Sequence, residues 1–421
     1  MKQLILLVAI LFVSVEVFPQ FDILKKVKDK VEDKTNQKVD EAIDSTIDNA
    51  TTNKKGKEQK SGENETTEQS KENVNGKNTS PEGEDLKSFS KFDFVPGEQV
   101  LFFEDFSQDN VGDFPALWNT NSSGEIVTLN NYPGNWFQPG IAGTFLPEIK
   151  GEFGENFTFQ FDLIYAPTTA SNLPSFYLDF YSSAEGEAMD AYVPGNGGCG
   201  FKIGAYTIGT FDWKEQQYGP IDNQKDDDFF DQNKNKIARL SFSFQKQRVR
   251  FWINENKIFD LPRLLMPDLV IDQIRLTTEE TDDQKPYFFI SNLRFAVGQP
   301  DMRSKLLTEG KLVTRGILFD VNSDKIKPES YGTLKEIAKV LQDNKDVRVK
   351  IVGHTDSDGS NESNLDLSKR RSASVKNALT TEFGIEAARM ETDGKGEMEP
   401  VVDNNTPEGK ANNRRVEFIK L

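Results

Sequence analysis

The chain has 421 residues, and its 51 Lys and Arg against 68 Asp and Glu give it a net charge of −17. At roughly 100–200 residues per domain this length allows two or three folded units, and the negative charge disfavours binding to a phosphate backbone. The one cysteine, Cys199, and the one histidine, His354, exclude an intramolecular disulfide framework, a thiolate-rich metal site and a histidine-cluster metal site. Phe is common, with 32 against 9 Tyr and 4 Trp, which suits a large apolar β core.

Residues 1–20 have the pattern of a secretory signal peptide. Lys2 precedes an apolar run from Leu4 to Val13, which is shorter than the about 20 residues that a membrane-spanning helix needs. We expect cleavage near Gln20, export of the mature chain, and no integral membrane span after the cut. No cysteine lies near the expected cut, which argues against a lipoprotein anchor. A buried N-terminal helix is the alternative interpretation.

Two polar segments follow. Residues 21–50 place apolar side chains at spacings of three and four, which predicts an amphipathic helix. This helix either self-associates or contacts a surface, or it is solvated and partly formed. Residues 51–90 contain only Val74, Leu86 and Phe89 as apolar residues, so they cannot bury enough surface to offset their ordering entropy. We expect a disordered linker.

From residue 91 to 300 the pattern changes to period-two alternation, typical of β-strands. In the segment FTFQFDL, Phe157, Phe159 and Phe161 alternate with polar residues, and the turn at residues 254–256 joins two alternating runs as a hairpin. Ten or more such strands without a convincing helix predict an antiparallel β-sandwich.

This region resembles the concanavalin A-like jelly-roll sandwiches, including laminin-G-like modules. The resemblance rests on FEDFSQDNVGDFPALW (Phe103–Trp118), VRFWINENKIFDLP (Val249–Pro262) and YFFISNLRFA (Tyr287–Ala296). It implies a jelly-roll fold whose members are glycan-binding modules, glycoside hydrolases or structural domains. The hydrolase members carry paired carboxylates in an ExDxxE strand, and residues 91–300 lack that pattern, so catalysis is not expected here.

Two features of the sandwich have both a functional and a structural interpretation. Trp118, Trp136 and Trp213 either stack on sugar rings or, as is commoner for Trp in a β-domain, belong to the core. The acidic run Asp226–Asp228 with Asp231 either holds Ca²⁺ through oxygen ligands or forms a solvated loop.

Residues 311–421 read as alternating strands and helices. A first strand contains Leu312 and ends in FDVNS, Pro328 opens a helix, and a second strand around Val349 runs into Gly353-His354-Thr355-Asp356. A second helix over residues 364–383 and a last strand around residues 416–418 complete a βαβαβ order, an α/β domain.

Within the second helix, Leu367, Arg371, Val375 and Leu379 recur every four residues, so Arg371 points along the apolar stripe. A guanidinium there needs an anion or carbonyl oxygens, because an unpaired buried charge is expensive. Asp356 follows the preceding strand, where ligands commonly bind in α/β architectures. An aspartate and an arginine flanking one pocket can hold a zwitterion, the first through its ammonium and the second through its carboxylate.

The C-terminal region also resembles the OmpA-like domain shared with Pal and MotB. The motifs, in chain order, are FDVNSDKIKPES (Phe319–Ser330), GHTDSDG (Gly353–Gly359), NLDLSKRRS (Asn364–Ser372), GKGEMEP (Gly394–Pro400) and NNRRVEF (Asn412–Phe418). The resemblance implies non-covalent binding of peptidoglycan through the diaminopimelate of its stem peptide. Ser372 stands where the family usually has Ala, a change between small residues that should not disturb the site.

The resemblance implies a set of six peptidoglycan-binding residues. They are Asp356, Arg371, Asn364, Thr355, Asn322 and Arg415. The first two match the family's paired aspartate and arginine, the third matches the asparagine of its NxxLS block, and the others match positions that line or brace the pocket. A structural ion pair between Asp356 and Arg371 is the alternative. His354 is expected to be a hydrogen-bonded residue at a strand end. Arg414 and Arg415 either form a solvated pair at the edge of the last strand or, as the block Asn412–Arg415 favours, belong to a packed and partly functional strand.

Together these patterns predict a non-catalytic cell-envelope protein, exported to the periplasm and associated with the outer membrane. Its C-terminal domain would bind peptidoglycan, and its sandwich would face a glycan or an envelope protein. No nucleic-acid partner and no cofactor are expected, apart from Ca²⁺ in the sandwich under the second interpretation of Asp226–Asp228. The alternatives are a glycan-binding adhesin and a glycan-processing enzyme acting through the sandwich. A MotB-like motor role would require a membrane helix with a proton-carrying acid.

Overall fold

The computed structural model describes residues 92–166, 173–185, 189, 191–215, 217–298 and 301–421. The signal peptide expected at 1–20, the amphipathic helix expected at 21–50 and the linker expected at 51–90 lie outside these residues. Among the described residues, none of the helices combines the length and the apolar character needed to cross a lipid bilayer.

Strands dominate the described part of residues 92–298. They are β1 (Gln99–Glu104), β2 (Trp118–Thr120), β3 (Gly124–Leu129), β4 (Tyr132–Pro139), β5 (Thr144–Pro147), β6 (Asn156–Tyr165), β7 (Phe176–Ser182), β8 (Gly197–Ile203), β9 (Thr207–Lys214), β10 (Gln217–Asp226), β11 (Ile237–Gln245), β12 (Arg248–Ile253), β13 (Asn256–Leu261), β14 (Gln273–Thr278) and β15 (Phe288–Val297), with a one-turn helix α1 (Phe229–Gln232). They form an eight-stranded sheet, ordered β13-β12-β11-β6-β15-β4-β3 with β1 also on β15, and a seven-stranded sheet, ordered β10-β9-β8-β7-β14-β5-β2. Every strand pair of both sheets is antiparallel, as the alternation predicts.

The two sheets share one aromatic core. Phe157, Phe159 and Phe161 of β6 are buried in it with side chains from both sheets. Phe242 stacks on Phe251 of the neighbouring strand, with ring centroids 4.4 Å apart. Each buried aromatic ring removes about 150–250 Å² from water, so the abundance of Phe accounts for the stability of a sandwich without disulfides.

The C-terminal part is a separate α/β layer. Its elements are α2 (Met302–Ser304), a π-helical turn (Lys305–Glu309), β16 (Lys311–Thr314), a 3₁₀ turn (Pro328–Ser330), α3 (Tyr331–Asp343), β17 (Val349–His354), α4 (Asn361–Thr381), a second 3₁₀ turn (Ala387–Arg389), β18 (Met390–Gly396), α5 (Pro407–Asn413) and β19 (Val416–Lys420). The sheet order is β16-β19-β17-β18, with only β17 and β18 parallel.

This order corrects the βαβαβ prediction at two places. The first strand ends at Thr314 and does not reach FDVNS, since Phe319 makes only an isolated bridge with Ile326. In addition β18, which the sequence analysis did not anticipate, pairs with β17.

Two glycines let α4 lie directly on the sheet. A Cβ at Gly353 would be 2.4 Å from the Ser368 carbonyl oxygen, and one at Gly394 would be 2.4 Å from the Lys369 backbone nitrogen. Ser368 and Ser372 face this contact and are fully buried, with each hydroxyl bonded to a carbonyl of its own helix. Close packing of this kind sets the height of Arg371 above the sheet.

The C-terminal layer packs on the outer face of the eight-stranded sheet. Thr158 and Gln160, which point away from the aromatic core, are nevertheless buried. The Asn412 side chain accepts a hydrogen bond from Val100 N (3.2 Å) and donates one to Val100 O (2.8 Å). Arg315 donates to the Glu98 carbonyl at 2.6 Å, so polar contacts join the two layers.

Candidate functional site

Asp356 lies just beyond the end of β17, where the sequence places it. It is 8% exposed, and one carboxylate oxygen accepts the backbone N–H of Asp358 at 3.1 Å. The other oxygen pairs with Arg414 Nη1 at 2.5 Å. The carboxylate is therefore held in place from both sides while remaining at the edge of the sheet.

Arg371 projects from α4 toward the loop after β16. Its Nε donates to Ser323 O at 2.9 Å, its Nη2 lies 3.5 Å from Asp320 O, and its guanidinium stacks on the Phe319 ring at 4.9 Å. No carboxylate of the described residues lies within ion-pair distance of it, so the ion pair of Asp356 with Arg371 does not form. Burial lowers the pKa of Arg371, and the nearby charge of Asp356 acts in the opposite direction. Because Nη1 makes no bond to the described residues, this half-buried guanidinium retains donors for an anion.

Asn364 and Thr355 lie beside Asp356. The Asn364 amide donates to the carbonyls of Asp356 (3.3 Å) and Asp358 (3.1 Å) and to Glu397 Oε2 (2.5 Å). It thus fastens the loop after β17. The buried Thr355 Oγ1 has no hydrogen-bond partner among the described residues, so a hydroxyl next to the carboxylate is unsatisfied.

Asn322 and Arg415 occupy contrasting positions. Asn322 is exposed at the tip of a turn, with φ of +54°, a left-handed conformation that Asn tolerates. Arg415 is buried and its Nε pairs with Glu417 at 2.9 Å, with further bonds to the Asn413 and Glu399 carbonyls. Its contacts favour bracing over ligand binding, and it is not half of a solvated pair.

His354 ends β17 beneath this group. Its backbone N–H bonds to the Arg415 carbonyl, whereas neither ring nitrogen has a hydrogen-bond partner among the described residues. Nε2 lies 3.6 Å from Glu417 Oε2, beyond hydrogen-bond distance. The expectation of a hydrogen-bonded strand-end residue therefore holds for the backbone and not for the ring.

Two features of the sandwich have both a functional and a structural interpretation, namely the three tryptophans and the acidic run Asp226–Asp228 with Asp231. Trp118, Trp136 and Trp213 are all at most 5% exposed, so they pack as core residues and present no face to a sugar. Asp227 pairs with Lys225 at 3.0 Å, and Asp231 with Lys234 at 2.5 Å. No group of His, Cys, Asp or Glu in the part of the chain that the structure describes is arranged to hold a metal ion.

Three residues of the site escaped the sequence analysis. Arg414 is not among the six expected binding residues, yet it pairs with Asp356 and its guanidinium lies over the Phe103 ring of β1 at 5.4 Å. The Phe319 ring stacks against the Arg371 guanidinium. The position of Arg414 in the NNRRVEF motif could have identified it as a site residue, whereas nothing in the sequence around Phe103 marks that residue.

Comparison with known proteins identifies the C-terminal region. Residues 318–414 match the OmpA family. The probable lipoprotein YiaD of Escherichia coli K12 is 38% identical over 133 residues, which cover 29% of this chain and 60% of YiaD. The outer-membrane lipoprotein YfiB of Pseudomonas aeruginosa is 42% identical over 103 residues, covering 24% of this chain and 61% of YfiB. The chain thus spans less than two thirds of the length of these curated relatives.

Solved structures match about a quarter of the chain. The peptidoglycan-associated lipoprotein from Burkholderia pseudomallei is 28% identical, with a TM-score of 0.24, and the match covers 25% of this chain and 88% of that one.

Proposed function

Because residues 318–414 form an OmpA family domain, we propose that the protein binds peptidoglycan non-covalently and tethers the cell envelope. The ligand is the diaminopimelate of the stem peptide, with its ammonium on Asp356 and its carboxylate on Arg371. The observation that carries the proposal is the burial and the hydrogen bonding of the Arg371 guanidinium. This guanidinium is half-buried and, among the described residues, bonds only to carbonyl oxygens and keeps unused donors.

Charge explains the choice of ligand. A carboxylate on the guanidinium fork forms charge-assisted bonds, which are roughly twice as strong as neutral ones. A stem peptide with lysine in place of diaminopimelate retains the ammonium for Asp356 but lacks the carboxylate for Arg371. Leaving a buried charge unpaired costs roughly 2–5 kcal/mol, or about thirty-fold or more in affinity. Diaminopimelate-type walls are therefore preferred over lysine-type walls.

The experiment is cosedimentation of the full chain with purified sacculi of both types. The double variant Asp356→Asn, Arg371→Gln is expected to lose binding to diaminopimelate-type sacculi. The matched control is Asp366→Asn, Arg370→Gln, which removes an exposed pair 2.8 Å apart on the same helix. Full binding by the first double variant, or loss of binding by the control alone, would refute the assignment.

We also propose an organisation for the rest of the chain. We assign residues 1–20 to a signal peptide, 21–50 to an amphipathic helix and 51–90 to a linker that spaces the folded part from its surroundings. Residues 91–300 make a jelly-roll sandwich without catalytic function, and 311–421 make the peptidoglycan-binding domain. The relative YfiB, named as an outer-membrane lipoprotein, supports our placement of the protein in the periplasm at the outer membrane.

One observation favours a second role, glycan binding by the sandwich. Tyr192 is 83% exposed and Tyr218 53% exposed, and their rings meet edge to face at 5.9 Å. Exposed Tyr pairs supply apolar faces for sugar rings together with a polar hydroxyl. Glycan-array binding by the full chain that disappears in Tyr192→Ala, Tyr218→Ala supports this role. Binding unchanged by that variant assigns any glycan contact elsewhere.

A further inference from the structure

A cavity of about 140 Å³ lies between the eight-stranded sheet and the C-terminal layer, and arginines from both sides line it. Arg239 and Arg294 come from the sandwich, and Arg315, Arg371, Arg414 and Arg415 come from the C-terminal layer. Such a concentration of guanidinium groups around one cavity is unexpected in a chain of net charge −17.

Arg294 forms the buried side of this cavity. It is 7% exposed, and its Nη1 donates to the Arg315 carbonyl at 3.1 Å. Its Nε and Nη2 are buried and have no hydrogen-bond partner among the described residues. Burial, with the charges of Arg239, Arg315 and Arg414, lowers the pKa of Arg294 to about 9. An arginine keeps its proton in proteins, so the unfavourable charge remains unless an anion balances it.

Three of the neighbouring arginines are already balanced. Arg239 pairs with Asp162 at 3.3 Å, Arg414 with Asp356 at 2.5 Å, and Arg415 with Glu417 at 2.9 Å. These carboxylates therefore leave no spare negative charge for Arg294.

The other two lack a carboxylate. Arg315 donates to the Asn412 and Glu98 carbonyls, and Arg371 donates to the carbonyls of the loop after β16. Together with Arg294 they make three guanidinium groups around one cavity that have no ion pair within the described residues.

We propose that this cavity binds one small oxyanion, a carboxylate or phosphate group, with Arg294 Nε and Nη2 as its buried donors. A water occupies about 30 Å³, so the volume holds a few waters or one such group and is too small for a sugar ring with its substituents. The anion is either free in solution or a second carboxylate of the peptide held at Arg371; this latter source rests on the proposed function. In both cases the site includes residues of the sandwich, so the ligand joins the two layers.

The first test measures thermal unfolding of the full chain in sodium phosphate and in sodium chloride at equal ionic strength. The melting temperature of the wild type is expected to rise saturably with phosphate, since a ligand that binds only the folded state stabilises it. Arg294→Gln is expected to melt above the wild type in chloride, because it removes an unbalanced charge, and to respond no more to phosphate than to chloride. The control Arg348→Gln alters an exposed arginine and should keep the response.

Equal melting of the wild type in both salts, with no phosphate binding by isothermal titration, overturns the site. The titration uses the wild type and so decides the matter even if Arg294→Gln does not fold.

The second test separates the two sources. A diaminopimelate-containing stem peptide with its other carboxylates free is compared with the same peptide amidated at those groups. At least tenfold tighter binding of the free form by the wild type, abolished in Arg294→Gln, assigns the anion to the peptide. Equal binding of both forms with the phosphate response intact assigns it to a free anion.

The variant Asp356→Asn separates the two proposals. If it loses sacculus binding but keeps the phosphate response, the two sites are separable, and failure of one proposal is distinguishable from failure of the other.

Discussion

Arg371 is the residue on which the proposed choice of ligand depends. Its Nε is fixed on Ser323 O and its plane on the Phe319 ring, so its remaining N–H groups are already oriented for the proposed carboxylate. Preorganisation of this kind belongs to the planar guanidinium and not to the flexible ammonium of lysine.

The first prediction compares two substitutions of this residue. Arg371→Gln is expected to weaken diaminopimelate binding by about 2–3 kcal/mol, because a charged hydrogen-bonding partner is lost. Arg371→Lys retains the charge without the fork and should lose roughly 1 kcal/mol. Isothermal titration of the full chain with free diaminopimelate measures both. Identical affinities for the wild type and the Gln variant would contradict the assigned role.

Glu417 carries the second prediction. Burial raises its pKa, but the contacts with His354, Lys311 and Arg415 outweigh burial and hold the pKa well below its ordinary value of 4.5. Since the folded state has the lower pKa, the carboxylate stabilises the fold above about pH 4.5, and this stabilisation is lost as the pH falls below it.

Glu417→Gln should therefore lower the free energy of unfolding at pH 7 by roughly 3 kcal/mol, since it leaves Arg415 buried and unpaired. The variant should also lose less stability than the wild type between pH 6 and pH 3. Urea unfolding followed by circular dichroism tests both, with Glu391→Gln, in an exposed pair with Arg348, as the control. An unaltered pH dependence in Glu417→Gln would show that another group controls acid unfolding.

At the scale of the element, the contact of α4 with β17 and β18 positions the site. The third prediction is that Gly353→Ala forces α4 away from the sheet, because its Cβ would be 2.4 Å from the Ser368 carbonyl. Overpacking of this kind costs roughly 1–3 kcal/mol. The shift also moves Arg371 relative to Asp356, so diaminopimelate affinity should fall although the nearest atoms to the new Cβ are backbone atoms of Ser368.

The control is Gly209→Ala in β9, where the nearest atom to a new Cβ is at 3.4 Å, an ordinary contact. Unfolding and titration of both variants separate the effects. Gly353→Ala with native stability and native affinity would mean that α4 does not set the geometry of the site.

The elements show where local pattern suffices and where it fails. The segments around β6 and α4 were predictable, because their apolar residues repeat every two and every four positions. The strand β18, METDGKG, contains two glycines and three charged residues, so no alternation marks it. It forms because it lies at the edge of the sheet beside β17, and such pairing is set by the partner and not by its own composition.

At the scale of the whole molecule, sequence identified the motif of the site but not its surroundings. Asp356 and Arg371 belong to recognisable motifs, whereas the partner of Asp356 is Arg414, 58 positions away. Likewise, alternation shows that Gln160 and Thr158 share a face of β6 but does not show that the C-terminal layer covers that face. Contacts between distant surfaces depend on packing, which no local period encodes.

The last prediction concerns this packing. The strand β1 shifts register against β15 between Val100 and Phe102, and the Val100 backbone bonds to the Asn412 side chain. Asn412→Ala leaves a buried N–H and a buried C=O unsatisfied, at a cost of about 1–3 kcal/mol for each group.

Calorimetry of the wild type should show the sandwich and the C-terminal layer unfolding in one transition, because the junction couples them. In Asn412→Ala the coupling weakens, so the transition should broaden or divide into two, while Asn405→Ala, which removes only an exposed amide, should leave it unchanged. One sharp transition at the wild-type temperature in Asn412→Ala would contradict this, and would point instead to the cluster of Phe92, Phe94 and Trp252 against which Tyr331 of α3 packs.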